Sequence, residues 1–193
     1  VSVKVLTVRG ATKGDILDGL DWVLKETTDK DVAMVFLAGH GVNDANGTYY
    51  FLPVGGRTEC LRRTSVPYYE FRDVLSAIAG KAVLFADTCY SGRVVGGKRR
   101  GQVEIDRVAN DLASAENGVV VFTASTGRQF SLENADWGNG AFTKALVEGL
   151  DGRADYTKDK AVTLNELALY VSERVKALTA GDQSPTTAKP DTV

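Results

Sequence analysis

The chain has 193 residues, of which 44% are hydrophobic and 25% charged, proportions ordinary for one globular domain with a sizeable core. A formal net charge of -2 gives no overall attraction to nucleic acid or to an anionic membrane, and no run of roughly eighteen apolar residues or export-type N-terminus is present, so neither nucleic acid nor membrane is expected as a partner. Two cysteines, Cys60 and Cys89, are too few for a disulfide framework, and one histidine leaves too few soft ligands for a zinc site, so a reducing, cytoplasmic location is expected.

Val1 to Thr7 is rich in β-branched residues and predicts a strand. After the turn at Gly10, the spacing of Ile16, Leu17, Leu20, Val23 and Leu24 predicts a helix, opened by a capping box of Thr12 and Asp15. Val32 to Ala38 is a continuous apolar run that ends in Gly39-His40-Gly41, the pattern of a buried parallel strand opening into a loop. Asn46-Gly47 predicts a turn, Thr48 to Leu52 a short returning strand, and Tyr68 to Ala79 a helix on Phe71, Val74, Leu75 and Ile78. Ala82 to Ala86 is a second apolar run, followed by Asp87-Thr88-Cys89-Tyr90-Ser91-Gly92. Arg93 to Gln102 is rich in Gly and basic residues and reads as an exposed loop. A helix through Val108 and Leu112 precedes a third buried strand, Val119 to Thr123, and helices are predicted over Ala141 to Leu150 and Leu164 to Leu178. This alternation predicts an α/β fold, a mostly parallel central sheet flanked by helices on both faces, with ligands beyond the carboxyl ends of its strands.

His40, Cys89 and the segment from Ser125 to Glu133 all fall at such ends. A cysteine attacks as thiolate and needs a nearby base or cation to be deprotonated at neutral pH, and the only histidine can supply it. Lone cysteines and histidines are commonly structural, but His40 stands between two glycines and Cys89 in a Thr-Cys-Tyr-Ser-Gly turn, where the backbone can approach a ligand and core packing has little to offer. Adjacent parallel strands would bring these residues, 49 positions apart, to one edge of the sheet.

The segments Phe36-Leu37-Ala38-Gly39-His40-Gly41, Phe85-Ala86-Asp87-Thr88-Cys89-Tyr90-Ser91-Gly92 and Phe122-Thr123-Ala124-Ser125 through Ser131-Leu132-Glu133-Asn134 to Gly140-Ala141-Phe142 resemble those of the caspase-like cysteine peptidases, within them the bacterial caspase-like and metacaspase (orthocaspase) branch. The resemblance covers nearly the whole chain. It implies a caspase-like sandwich in one peptidase domain over 1–193, with a large-subunit-like part (1–92), the exposed Gly/basic loop (93–105) and a small-subunit-like part (106–193). It implies Cys89 as nucleophile and His40 as acid-base partner in a dyad without a third carboxylate. The backbone N–H groups of Gly41 and Cys89 are implied as the oxyanion hole.

Aspartate-cleaving caspases place an arginine in the stretch that Ser131 to Asn134 resembles, whereas here Glu133 stands there and Asp87 lies two residues before the nucleophile. An acidic pocket of Asp87, Ser125, Glu133 and Asp136 is therefore expected to bind a basic residue before the scissile bond, Arg above Lys because a planar fork can engage two carboxylates. The alternative for Asp87 is a strand-end carboxylate capping local backbone, and for Glu133 a solvated surface charge. With that specificity Lys98, Arg99 and Arg100 form a candidate self-cleavage site, or else a solvated basic loop.

No cofactor is expected to be required. Asp155, Thr157, Asp159 and Glu166 fall at calcium-loop positions, but Lys160 replaces the needed glycine and Thr163 with Glu166 reads as a capping box, so no metal site is assigned, although some metacaspase-like relatives use calcium through other acidic residues. The resemblance implies an earlier strand and helix, after which this sequence is expected to start, and Gln183 to Val193 reads as a lead-in to a final strand that stops short; the exposed sheet edge implies a partner segment, a second chain or a fragment. Two other functions are compatible with the motifs: a catalytically silent pseudopeptidase that binds partners, and a different Cys-His amidase, which would not need an acidic pocket.

Overall fold

The computed structural model describes residues 1–7, 10–90, 105–114, 118–124, 132, 138 and 140–190, with backbone alone described at 89, 90 and 105–107. The apolar runs become the strands β1 (Val32–Asn43), β4 (Lys81–Tyr90) and β5 (Val119–Thr123), joined by the short strands β2 (Tyr49–Leu52), β3 (Val66–Pro67) and β6 (Thr186–Ala188). The periodic segments become α1 (Lys13–Glu26), α2 (Leu61–Thr64), α3 (Tyr68–Ser76), α4 (Ile105–Ala113), α5 (Ala141–Glu148) and α6 (Leu164–Leu178). Both expected capping boxes form, Thr12 with Asp15 at α1 and Thr163 with Glu166 at α6, each satisfying backbone donors that a helix start leaves orphaned.

One six-stranded sheet runs in the order β3-β2-β1-β4-β5-β6. Its centre is parallel, β1 with β4 and β4 with β5, and its outer pairs are antiparallel. The α/β reading with helices on both faces therefore holds. On one face Ala82, Leu84 and Val121 pack with Ile16 and Leu20 of α1, Phe71 and Leu75 of α3, and Val108 and Leu112 of α4. On the other, Val83, Phe85, Val120 and Phe122 pack with Phe142 and Leu146 of α5 and Leu167, Val171 and Val175 of α6. The strict period of two in β4 is what lets one strand serve two cores.

Three expectations need correction. First, β1 and β4 do not stop before the chemistry begins: β1 continues through His40 to Asn43, and β4 through Asp87 and Cys89 to Tyr90, because their ladder is unbroken to Gly41↔Tyr90. Second, the segment from Val1 to Thr7 joins no strand; a cleft of about 490 Å³ is lined by Val1, Val3 and Leu6 of this segment together with Val32, Met34 and Phe36 of β1. Along 32–39, β1 pairs with β4 alone among the described residues, and Val32, Met34 and Phe36 are exposed. Third, the C-terminal segment does not stop short of a strand, since Thr186–Ala188 pairs antiparallel with β5 and Thr186 Oγ1 lies 2.6 Å from Thr123 Oγ1.

A π-helical turn, Gly149–Arg153, carries the chain out of α5, and one carboxylate ties this corner together. Glu148 accepts from Arg174 Nε at 2.7 Å and Nη2 at 3.2 Å and from the Tyr170 hydroxyl at 3.1 Å, with Lys144 Nζ at 3.3 Å. The Arg174 guanidinium above all, then Tyr170 and Lys144, outweigh desolvation and pull the Glu148 carboxyl from 4.5 down to about 2. A carboxylate with a depressed pKa adds stability that is fully present above its unfolded value and lost as pH falls through the folded one, here between 4.5 and about 2. Replacing Glu148 by Gln is expected to remove about 2 kcal/mol at neutral pH, a drop of roughly 5 °C in Tm, and to flatten the acid arm of the stability curve in that window; thermal melts from pH 7 to 2 check both.

Candidate active site

Within the β1–β4 ladder the Cα partners at its carboxyl end are Ala38↔Asp87, Gly39↔Thr88, His40↔Cys89 and Gly41↔Tyr90. The two chemically distinctive positions, 40 and 89, are thus direct cross-strand neighbours, about 4.8 Å apart at the spacing of adjacent strands. The sequence placed them at one end of the sheet; the register makes them opposite one another. His40 is exposed, as an acid-base group facing solvent or substrate would be. Alternation places Val83, Phe85 and Asp87 on the α5 side.

The glycines flanking His40 have separate physical causes. Gly39 has φ +156°, and a Cβ there would lie 3.1 Å from the Phe51 ring. At Gly41 a Cβ would fall 2.1 Å from the Tyr49 hydroxyl and 2.4 Å from its ring carbons, so Tyr49 occupies the space a side chain would need. That hydroxyl donates to Thr88 Oγ1 at 2.9 Å in a buried bond that crosses β1 from β2 to β4. Thr88 follows Asp87 and lies on the opposite face of β4 from it, so the bond braces the strand from behind.

Asp87 is half-buried, and its Oδ2 accepts from Thr143 Oγ1 in α5 at 2.5 Å. The same oxygen lies 3.1 Å from where a Cβ on Gly140 would be, at the N-cap of α5. Ser125, Glu133 and Asp136 lie outside the described residues, as do Lys98, Arg99 and Arg100.

Sequence reasoning missed Gln183, which is fully buried. Its Nε2 donates to Ala124 O at 2.7 Å, and its Oε1 accepts from Leu132 N–H at 2.8 Å. Ala124 and Leu132 bracket the segment 125–131, so one amide ties both of its ends; Leu132 O in turn accepts from Ala141 N–H, the first residue of α5. Thr143, Tyr49 and Thr88 were missed as well. Each is an uncharged side chain whose partner lies far away in sequence, and neither period nor composition marks such residues.

The acidic stretch before α6 spends its carboxylates on backbone. Asp155 accepts from the N–H groups of Asp159 and Lys160, and Glu166 from those of Tyr156, Thr157 and Thr163. The amide bonds from Asp155 help hold Lys160 at φ +71°, and no group of three or more metal-ligating side chains gathers among the described residues.

Two substitutions probe this frame. Gly41→Ala is expected to lose about 1–3 kcal/mol because the Tyr49 ring must move off the strand. Gln183→Leu is expected to lose about 2–4 kcal/mol by leaving two buried backbone groups without their amide partner. Chemical denaturation measures both, and a loss under about 0.5 kcal/mol in either would contradict the packing described.

The model for the caspase domain matches residues 2–192 of the chain. No curated protein matches it. Among solved structures, the fold is similar to that of protein GSU0716 from Geobacter sulfurreducens, with a TM-score of 0.68 at 20% sequence identity over 99% of this chain and 79% of that one. No described helix is long and apolar enough to cross a membrane. With a family match over almost its entire length and a caspase-like α/β sheet, the chain belongs to the caspase domain family of cysteine peptidases.

Proposed function

We propose that the chain is a cysteine endopeptidase that hydrolyses peptide bonds after basic residues, Arg above Lys, through a Cys89–His40 dyad. The single observation that carries the reading is the pairing of His40 with Cys89 across adjacent parallel strands. In this reading His40 takes the Cys89 proton, and the thiolate attacks the scissile carbonyl carbon. The carbonyl oxygen becomes an oxyanion held by the backbone N–H groups of Gly41 and Cys89. His40 returns the proton to the leaving amine as the C–N bond breaks, leaving a thioester. Water, deprotonated by His40, then attacks the thioester, releases the acid product and restores the thiol.

Asp87 supplies the negative charge that favours a guanidinium or ammonium before the scissile bond, with Ser125, Glu133 and Asp136 completing the pocket. Support for Asp87 comes from its place two residues before the nucleophile on the same strand and from its anchoring at α5. Substrates are proteins or peptides, and no cofactor is required. The basic run Lys98, Arg99 and Arg100 matches this specificity and is the candidate self-cleavage site of the chain. The domain reads as one peptidase unit, a large-subunit-like part through 92 and a small-subunit-like part from 106, joined by that loop.

The test is hydrolysis of fluorogenic peptides ending in Arg, Lys or Asp by the protein and by Cys89→Ala, each with and without calcium. Cleavage after Arg, weaker after Lys and absent after Asp, is expected, with a fall of at least about a thousandfold in the variant. Cleavage after Asp would overturn the acidic pocket, and silence on all peptides would favour a pseudopeptidase. Prolonged incubation of the active protein beside Cys89→Ala tests self-cleavage: two fragments dividing near 98–100 in the first alone are expected, and a single intact band would refute it.

A further inference from the structure

A carboxylate selects a guanidinium well only when its plane is held, because a bidentate pair demands that both groups lie in one plane. The terminal torsion of aspartate is otherwise broad, and the freedom lost on binding weakens affinity. In this protein the plane of Asp87 is set from outside its own strand. Thr143, the third residue of α5, donates its hydroxyl to Asp87 Oδ2 at 2.5 Å. Gly140, the N-cap, has no side chain of its own, and a Cβ there would come within 3.1 Å of the same oxygen. The carboxylate thus rests against the positive end of α5, and since each carboxylate oxygen can accept more than one hydrogen bond, the Thr143 bond is compatible with a cation at the same group.

The helix itself is fixed. Phe142 and Ala145 are fully buried against β5, and Glu148 ties the other end of α5 to Arg174 of α6. Thr143 therefore presents its hydroxyl from a rigid element to a carboxylate on the same face of β4.

We infer that Thr143 is a positioning residue for specificity, which orients the Asp87 carboxylate to receive the basic side chain of the substrate. The role rests on the basic-residue reading proposed above. It makes affinity for Arg substrates depend on a neutral hydroxyl in α5 that makes no contact with the scissile bond.

The test compares Thr143→Val, which keeps shape but removes the donor, with Thr143→Ser, which keeps the donor. With Arg peptides, Thr143→Val is expected to raise KM about tenfold while kcat stays within about twofold, and Thr143→Ser to stay near the parent, the effect of one hydrogen bond to a charged group. In a Cys89→Ala background the binding of p-aminobenzamidine, read by its fluorescence, should weaken by the same factor, since that probe reports the pocket without any chemistry. A merely structural role would lower thermal stability and change kcat as much as KM, or leave Thr143→Ser as impaired as Thr143→Val, and either result overturns the inference. So does a Thr143→Val protein within about twofold of the parent in both KM and amidine affinity. Should Thr143→Val fail to fold, Thr143→Ala carries the same expectations. Absence of both Arg cleavage and amidine binding in the parent background would instead strike at the basic-residue reading, and the role of Thr143 would fall with it; amidine binding that ignores Thr143 would overturn the positioning role alone.

Discussion

Ten consecutive residue pairs join β1 to β4 in parallel, from Val32↔Lys81 to Gly41↔Tyr90, and the site depends on the register of that ladder. Side chains alternate across a sheet, so a slip of one residue would pair position 40 with 88 or 90 instead of 89 and exchange the two faces of the strand. Several independent contacts oppose such a slip. The odd residues Val83 and Phe85 belong to the α5–α6 core and the even residues Ala82 and Leu84 to the α1–α3–α4 core, so neither can exchange places without emptying both. At the end nearest the chemistry, Tyr49 reaches past Gly41 to Thr88, a bond that exists only in this register.

The two faces of β4 divide the work. The even face is dry packing and one buried hydroxyl pair, and it stiffens the strand. The odd face passes from Phe85 to Asp87, where apolar burial gives way to a carboxylate tied to α5. An isolated carboxylate at the end of a buried strand would carry a desolvation penalty; the Thr143 hydroxyl and the N-terminal end of α5 offset it without supplying a full positive charge.

The part of the chain after β5 serves mainly as support for this end of the sheet. Gln183 ties Ala124 to Leu132, Leu132 holds the start of α5, and Glu148 holds its far end to α6. These links use one amide, one backbone pair and one ion-pair network, and the bonds of Gln183 and of Arg174 to Glu148 join residues far apart in sequence. Most of the free energy of the corner comes from the buried Phe142, Leu146, Val171 and Val175, and the polar links decide which geometry that burial adopts.

Much of this was legible in the sequence. Apolar runs marked the three central strands, periodicity marked α1, α3, α5 and α6, and two capping boxes fixed helix starts to the residue, because each of these signals is local. The motifs around His40 and Cys89 pointed to the family that the chain belongs to. What the tertiary structure decided were matters of partnership. The sequence could not show that β1 and β4 run on through His40 and Cys89 as paired strands, that Val1 to Thr7 would join no strand, or that Thr186–Ala188 would close against β5, since a strand exists only where a second strand lies beside it. Nor could it mark Thr143, Tyr49 or Gln183, whose hydrogen bonds cross 56, 39 and 59 residues. Local physics writes itself into spacing and composition; a contact between distant residues exists only once the fold has brought them together.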